Sequence, residues 1–141
     1  MRSSLRFLVL WLSIAATLFG ADPVKTPPIG SPERKAIMDA LRGPVEAELG
    51  QAVIFKVDFL RVNSEWACMN GTPLRPNGSR IDHRNARARE ALQGVASEDV
   101  AALFKKVRGV WQLVTFNIGH GDPVWMNWES QFGAPRSIVG Y

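Results

Sequence analysis

Between Ser31 and Gly50 the chain carries one apolar stripe, and that stripe dictates what the rest must build. Ile37, Leu41, Val45 and Leu49 recur every four residues, with Met38 beside them. On a helix these side chains share one face. Ser31 can cap such a helix, Pro32 fits its first position, and Glu33 suits the positive end of its dipole. Gly50 stands where a helix ends in a left-handed residue. Pro44 falls inside the stripe, removes one backbone hydrogen bond and predicts a kink or break near Gly43. A helix with one apolar side is stable only against a second layer. Cys68 is the only cysteine, so no internal disulfide can take the place of that layer.

The covering layer reads as antiparallel sheet. "QAVIFKVDFLRV" is rich in Val, Ile and Phe, and Val53, Phe55, Val57 and Phe59 alternate with Lys56 and Asp58. Leu60 and Val62 occupy the opposite phase, which predicts a bulge near Phe59. "NSE" at 63–65 is a turn and 66–70, "WACMN", a second strand. "GTPLRPNGSR" is turn chemistry, and Ala86–Leu92 has helical capacity ended by Gly94. Residues 100–107 carry helix spacing at Val100, Leu103, Phe104 and Val107. The strand at Trp111–Ile118 and a turn at Gly109 nonetheless make "KKVRGVWQLV" a hairpin. A two-stranded sheet would be marginal, so 100–107 is assigned as strand.

The C-terminal stretch "GHGDPVWMNW" reads as a strand handing over to a short helix. Gly119 and Gly121 bend the chain, Asp122 caps, and Pro123 takes the first helical position. Trp125, Trp128 and Phe132 then share a face, and Gly133 and Pro135 stop the helix. "RSIVGY" adds a short strand or stays loose. The expected fold is α+β: an N-terminal helix packed on an antiparallel sheet of about four strands, with a short C-terminal helix.

The N-terminus sets the location. "MRSSLR" is basic, and Phe7–Phe19 is an uncharged run of 13 residues, short for a bilayer span. With Gly20 and Ala21 this predicts a secretory signal peptide over residues 1–20. An uncleaved N-terminal anchor ranks second. Residues 21–30, with three prolines, form a tether, and 31–141 a single domain in the periplasm or secreted, with no transmembrane span after cleavage. Lys plus Arg is 17 and Asp plus Glu 13; losing Arg2 and Arg6 leaves 15 against 13, a net of +2. That balance, with no recognisable binding motif, argues against nucleic acid as partner.

"FLRVNSEWACMNGTPLRPNG" with "KKVRGVWQLVTFNIGHGDPVWMNWESQFGAP" resembles a family of small, largely uncharacterised exported proteins of Gram-negative bacteria. The shared pieces are Leu60–Val62, Trp66–Ala67, Gly71–Gly78, Ile81–Asp82, Leu103–Trp111 and Gly119–Pro135, nearly the whole mature chain. The lysine–glycine–tryptophan hairpin also resembles the end strands of cystatin-like and nuclear-transport-factor-like folds. That implies a helix on a curved antiparallel sheet and no particular activity. The chain departs from the pattern at Cys68, in place of a plain apolar residue, and in its arginine-heavy stretch after Asp82.

Candidate chemistry is sparse. His120 and Asp122 could form an acid–base pair, although Asp122 as a cap and His120 as a turn residue account for both. Asp82, His83 and His120 lack metal-ligand spacing, so no metal and no cofactor is assigned. Cys68 lies in an apolar strand in phase with Trp66 and reads as a buried small hydrophobe rather than a reactive thiol. The tryptophans read mainly as core, Trp111 above all, rather than as a stacking platform. Arg75, Arg80, Arg84, Arg87 and Arg89 cluster in one segment and could hold a phosphate, a carboxylate or an anionic envelope surface; a solvated loop is the plainer alternative. The expectation is a non-enzymatic binding or interaction module of the cell envelope, its partner an envelope protein or a small anionic ligand. Contact would be through these arginines or a cleft between helix and sheet. The alternative is a small hydrolase or isomerase using His120 and Asp122.

Overall fold

A computed structural model describes residues 22–140. The expected signal peptide lies outside the described residues. Helix α1 spans Pro32–Leu49; strands β1 and β2 follow at Ile54–Val62 and Trp66–Leu74. A short helix α2, Ala86–Ala91, precedes strands β3, Val100–Val107, and β4, Val110–Ile118. One turn of 3-10 helix at Val124–Asn127 leads into α3, Trp128–Phe132, and α4, Arg136–Val139. The four strands form one antiparallel meander in the order β1-β2-β3-β4. The expected α+β fold, with its N-terminal helix, four-stranded sheet and short C-terminal helix, is what the chain forms.

Helix α1 begins and ends as its sequence predicts. Ser31 Oγ accepts from the Arg34 N–H at 3.3 Å. Gly50 closes the helix at φ 65°, its N–H donating to the Glu46 carbonyl at 2.8 Å. The predicted break near Gly43 does not occur: the helix runs through Pro44. Gly43 and Pro44 lie on its exposed side, where water can satisfy the carbonyl that proline leaves unpaired. Restoring the N–H with Pro44→Ala is therefore expected to stabilise the fold by about 2 kcal/mol, read as a higher midpoint in urea unfolding.

One face of the sheet packs on α1. Ile37, Leu41, Val45 and Leu49 meet Leu60, Val62, Met69, Val100 and Phe104, with Trp111 closing one end, and most of these side chains are wholly inaccessible. The predicted bulge is present as a register shift between Val57 and Phe59. It adds Asp58 as the extra residue, so Phe55, Val57, Leu60 and Val62 all reach the α1 face while Phe59 turns to the other. A second shift, opposite Leu103 and Phe104, makes Val114 the extra residue of β4, and Leu113 and Phe116 thereby both face α1.

The opposite face of β2 and β3 is covered by the C-terminal segment. Trp66, Cys68, Ala101 and Leu103 pack there against Trp128, Ala134, Ile138 and Val139. Being covered on both sides explains why residues 100–104 are all buried and why their sequence lacks alternation. The β3–β4 turn carries positive φ at Arg108 (52°) and Gly109 (76°), the pattern that matches strand twist in a two-residue hairpin.

Several local expectations are corrected. Strand β2 continues past residue 70 to Leu74. Proline is tolerated at 73 because β3 pairing ends at Gly71, leaving β2 with one neighbour. The segment expected to be a free tether is docked. Lys25 exchanges two backbone hydrogen bonds of 2.8 Å with Val62, Thr26 Oγ1 donates to the Leu60 carbonyl at 2.8 Å, and Pro27 is buried.

The handover after β4 also differs. Asp122 makes no capping bond, and Pro123 occupies the cap position itself. The 3-10 turn keeps Trp125 and Trp128 on one side, since that helix eclipses every third residue, but Phe132 emerges 40% exposed. The tail is helical rather than a strand or loose. Ile138 and Val139 of α4 are buried, and Arg61 Nη1 donates to the carbonyls of Ile138 (3.2 Å) and Gly140 (2.7 Å), capping that helix with a cation.

Candidate functional site

Two groups of polar side chains stand apart from the core. The first is built where β4 ends. Gly119 bends the chain at φ 84°, and a Cβ there would lie 2.4 Å from the Val95 side chain, so only glycine fits. The bend carries His120 back over β2. His120 Nε2 lies 2.8 Å from Asn70 Oδ1 and Nδ1 lies 3.1 Å from the Asp122 carbonyl oxygen. The ring meets Trp125 edge-on with centroids 5.5 Å apart. Asn70 Nδ2 donates to Asp58 Oδ2 at 3.2 Å, which turns the Asn70 oxygen toward the histidine. Ser97 Oγ donates to the His120 carbonyl at 2.9 Å.

The acid–base pair of the alternative reading is thus not assembled: it is the backbone oxygen of Asp122, not its carboxylate, that meets the imidazole. A general base needs a ring nitrogen within reach of a substrate proton, and both nitrogens of His120 face protein acceptors. The arrangement fastens the C-terminal segment to the sheet. His120→Ala should leave the circular dichroism spectrum unchanged and cost about 1–2 kcal/mol, the loss of these bonds plus an unpaired Asn70 oxygen, measured by urea unfolding. Asn70 and Asp58 were not singled out from sequence. The available signal was a polar residue in phase with Trp66 and Cys68, on a face that is otherwise apolar.

The second group is the arginine segment, and the fold gives each of its five members a partner. Arg87 Nη1 donates to the Ala47 carbonyl at 2.9 Å, and Asn85, which caps α2, donates to the Gly50 carbonyl at 2.9 Å. Together they satisfy the C-terminal end of α1. Gln51 brackets Asp82, accepting from its N–H at 2.9 Å and donating to its carbonyl at 3.1 Å. Arg84 grips the Asp82 carboxylate at 2.8–3.2 Å and holds that carboxyl well below the usual range. Arg80 and His83 converge on Glu98 at 3.1 and 2.6 Å. Arg75 and Arg89 donate to the carbonyls of Arg80 and Arg84 at 3.0 and 2.8 Å. Glu98, brought in from beyond α2, is the acid that sequence spacing missed. The side chains of Arg80 and Arg84 remain 81% and 87% exposed. Shallow clefts of about 420 and 470 Å³ flank α2, lined by Arg87 on one side and His83 and Arg89 on the other.

The remaining candidates have structural places. The α1 face of the sheet is filled by fully buried side chains along the Ile37–Leu49 stripe. Trp66, Trp111 and Trp128 are buried and Trp125 half-buried; the indole N–H groups of Trp111 and Trp125 are enclosed without a partner. Cys68 is wholly buried, and burial pushes its thiol up to about 12, against a smaller opposing effect of Arg61. The native protein should therefore resist a disulfide reagent at pH 8 and react stoichiometrically once unfolded. Among the described residues, no three His, Cys, Asp or Glu side chains converge as a metal site, and no helix is long and apolar enough to cross a membrane. Compared with known proteins, the chain matches no family model, no curated protein and no solved structure.

Proposed function

We propose that the mature chain is a non-enzymatic binding module of the cell envelope, periplasmic or secreted, and that the arginine segment at 75–89 is its contact surface. Export rests on the basic start and the 13-residue apolar run after it, and on the resemblance to small exported proteins of Gram-negative bacteria. The observation that carries the binding reading is the fastening of His120. His120, the histidine offered for acid–base work, has its two ring nitrogens turned to protein oxygens, those of Asn70 and Asp122. A hydrolase or isomerase would have to release one of them.

The partner is an acidic envelope protein or a small anionic ligand. Arg87 and Arg89 line the clefts around α2 together with Glu90, and Arg80 and Arg84 present exposed guanidinium groups. Their partners Asp82 and Glu98 orient them and leave donors of the fork unused. Inorganic phosphate and a polyglutamate peptide serve as probes in a backbone-amide NMR titration. Shifts are expected within residues 75–98, with affinity at least about tenfold weaker, or 1.4 kcal/mol, in Arg84→Glu/Arg89→Glu. Shifts centred elsewhere, or none with either probe at millimolar concentration, would overturn the assignment.

A further inference from the structure

The two edges of the sheet are treated differently. At the β1 edge the segment around Lys25 and Thr26 takes up the backbone groups of Val62 and Leu60. Strand β1 also carries Lys56, Asp58 and Arg61 and a bulge. These are devices by which natural proteins blunt an edge. Strand β4 has a bulge but no charge, no proline and no glycine in its nine residues, "VWQLVTFNI". Val110 is 60% exposed and Val114 37%. Among the described residues, no hydrogen bond from outside the sheet reaches β4.

The ladder identifies the outward groups. The two-residue turn makes Val107 and Val110 a hydrogen-bonded pair, and the bond from the Gly119 N–H to the Asp99 carbonyl sets the same alternation from the other end. The backbone groups of Trp111, Leu113, Phe116 and Ile118 therefore point away from β3.

We infer that β4 is the seam of a two-fold dimer, in which β4 of one copy pairs antiparallel with β4 of a second to make an eight-stranded sheet. Charge selects both occupant and direction. Beside the hairpin end of β4 stand Lys106 of β3, over the Trp111 ring, and Arg108 of the turn, neither ion-paired among the described residues. The other end bears Asp99 and Asp122, while Glu98 beside them is already held by Arg80 and His83. Antiparallel pairing sets the basic end of each copy beside the acidic end of the other. It also holds the two basic tips about 30 Å apart across nine residues, well beyond the ~8 Å screening length. Parallel pairing would place like charges side by side. The seam itself desolvates no charge, and pairing consumes both β4 edges, so assembly stops at two.

The test is native mass spectrometry of the mature protein from 1 to 100 µM, with amide hydrogen exchange followed by NMR. The expected result is a dimer. In it, the amides of Trp111, Leu113, Phe116 and Ile118 are protected at high concentration and lose protection on dilution. Val114→Lys, placing like charges near the two-fold axis, should weaken dimerisation at least about tenfold. If that variant fails to fold, the concentration-dependent protection of the wild-type amides still decides. A monomer throughout, a dimer whose β4 amides stay unprotected, a ladder of higher masses, or protection only when another protein is added would each overturn the inference.

Discussion

Phe104→Ala is expected to cost about 3–5 kcal/mol, a large part of the 5–15 kcal/mol that holds a typical domain together. Phe104 is the largest fully buried side chain among the described residues and lies in the α1-facing core. Its neighbour Leu103 is equally buried but faces Trp128 and the C-terminal helices. Leu103→Ala should therefore cost about 2–4 kcal/mol, nearly additive with Phe104→Ala, because the two side chains open cavities on opposite faces. Urea unfolding of both single variants and the double variant measures this. If either single change costs less than about 1 kcal/mol, the strand is covered on one side only and the layer arrangement is wrong.

Gly71→Ala is the second large effect, for a different reason. A Cβ at Gly71 would stand 2.5 Å from the Lys56 carbonyl oxygen and 3.1 Å from Val57 Cα. Both are backbone atoms of β1 at the edge of its bulge, so no side-chain rotation relieves the clash. The strands must separate or the bulge must move, and a one-residue slip would turn Leu60 and Val62 away from α1. A loss of about 3 kcal/mol is expected, at the upper end of overpacking. A loss below about 0.5 kcal/mol, in the range of an ordinary surface change, would mean that β1 and β2 do not approach so closely.

How much of this was legible in the sequence depends on which forces act locally. The α1 stripe and the Asp58 bulge were readable because each leaves a periodic trace: a four-residue repeat, and a slip of phase at Leu60. Residues 100–107 were ambiguous because a strand buried on both faces loses its alternation, and only the hairpin after it favoured strand. The docking of Lys25 on Val62 is a backbone bond and leaves no mark on side-chain pattern. Asp122 looked like a cap because aspartate before proline usually starts an α-helix, but the chain took a 3-10 turn there. Of the candidate site, the arginines were visible as composition. Their restraint by Glu98 and Asp82, and the tie between His120 and Asn70 fifty residues earlier, come from the topology of the sheet.

The most direct measurement is site-specific photo-cross-linking in living cells, with a photoreactive residue at position 89 beside α2, or at position 35 on the exposed side of α1. A binding module that works through the arginine segment predicts a discrete adduct from position 89, lost with Arg84→Glu, and none from position 35. An adduct from position 35 alone, or none from position 89, would contradict it.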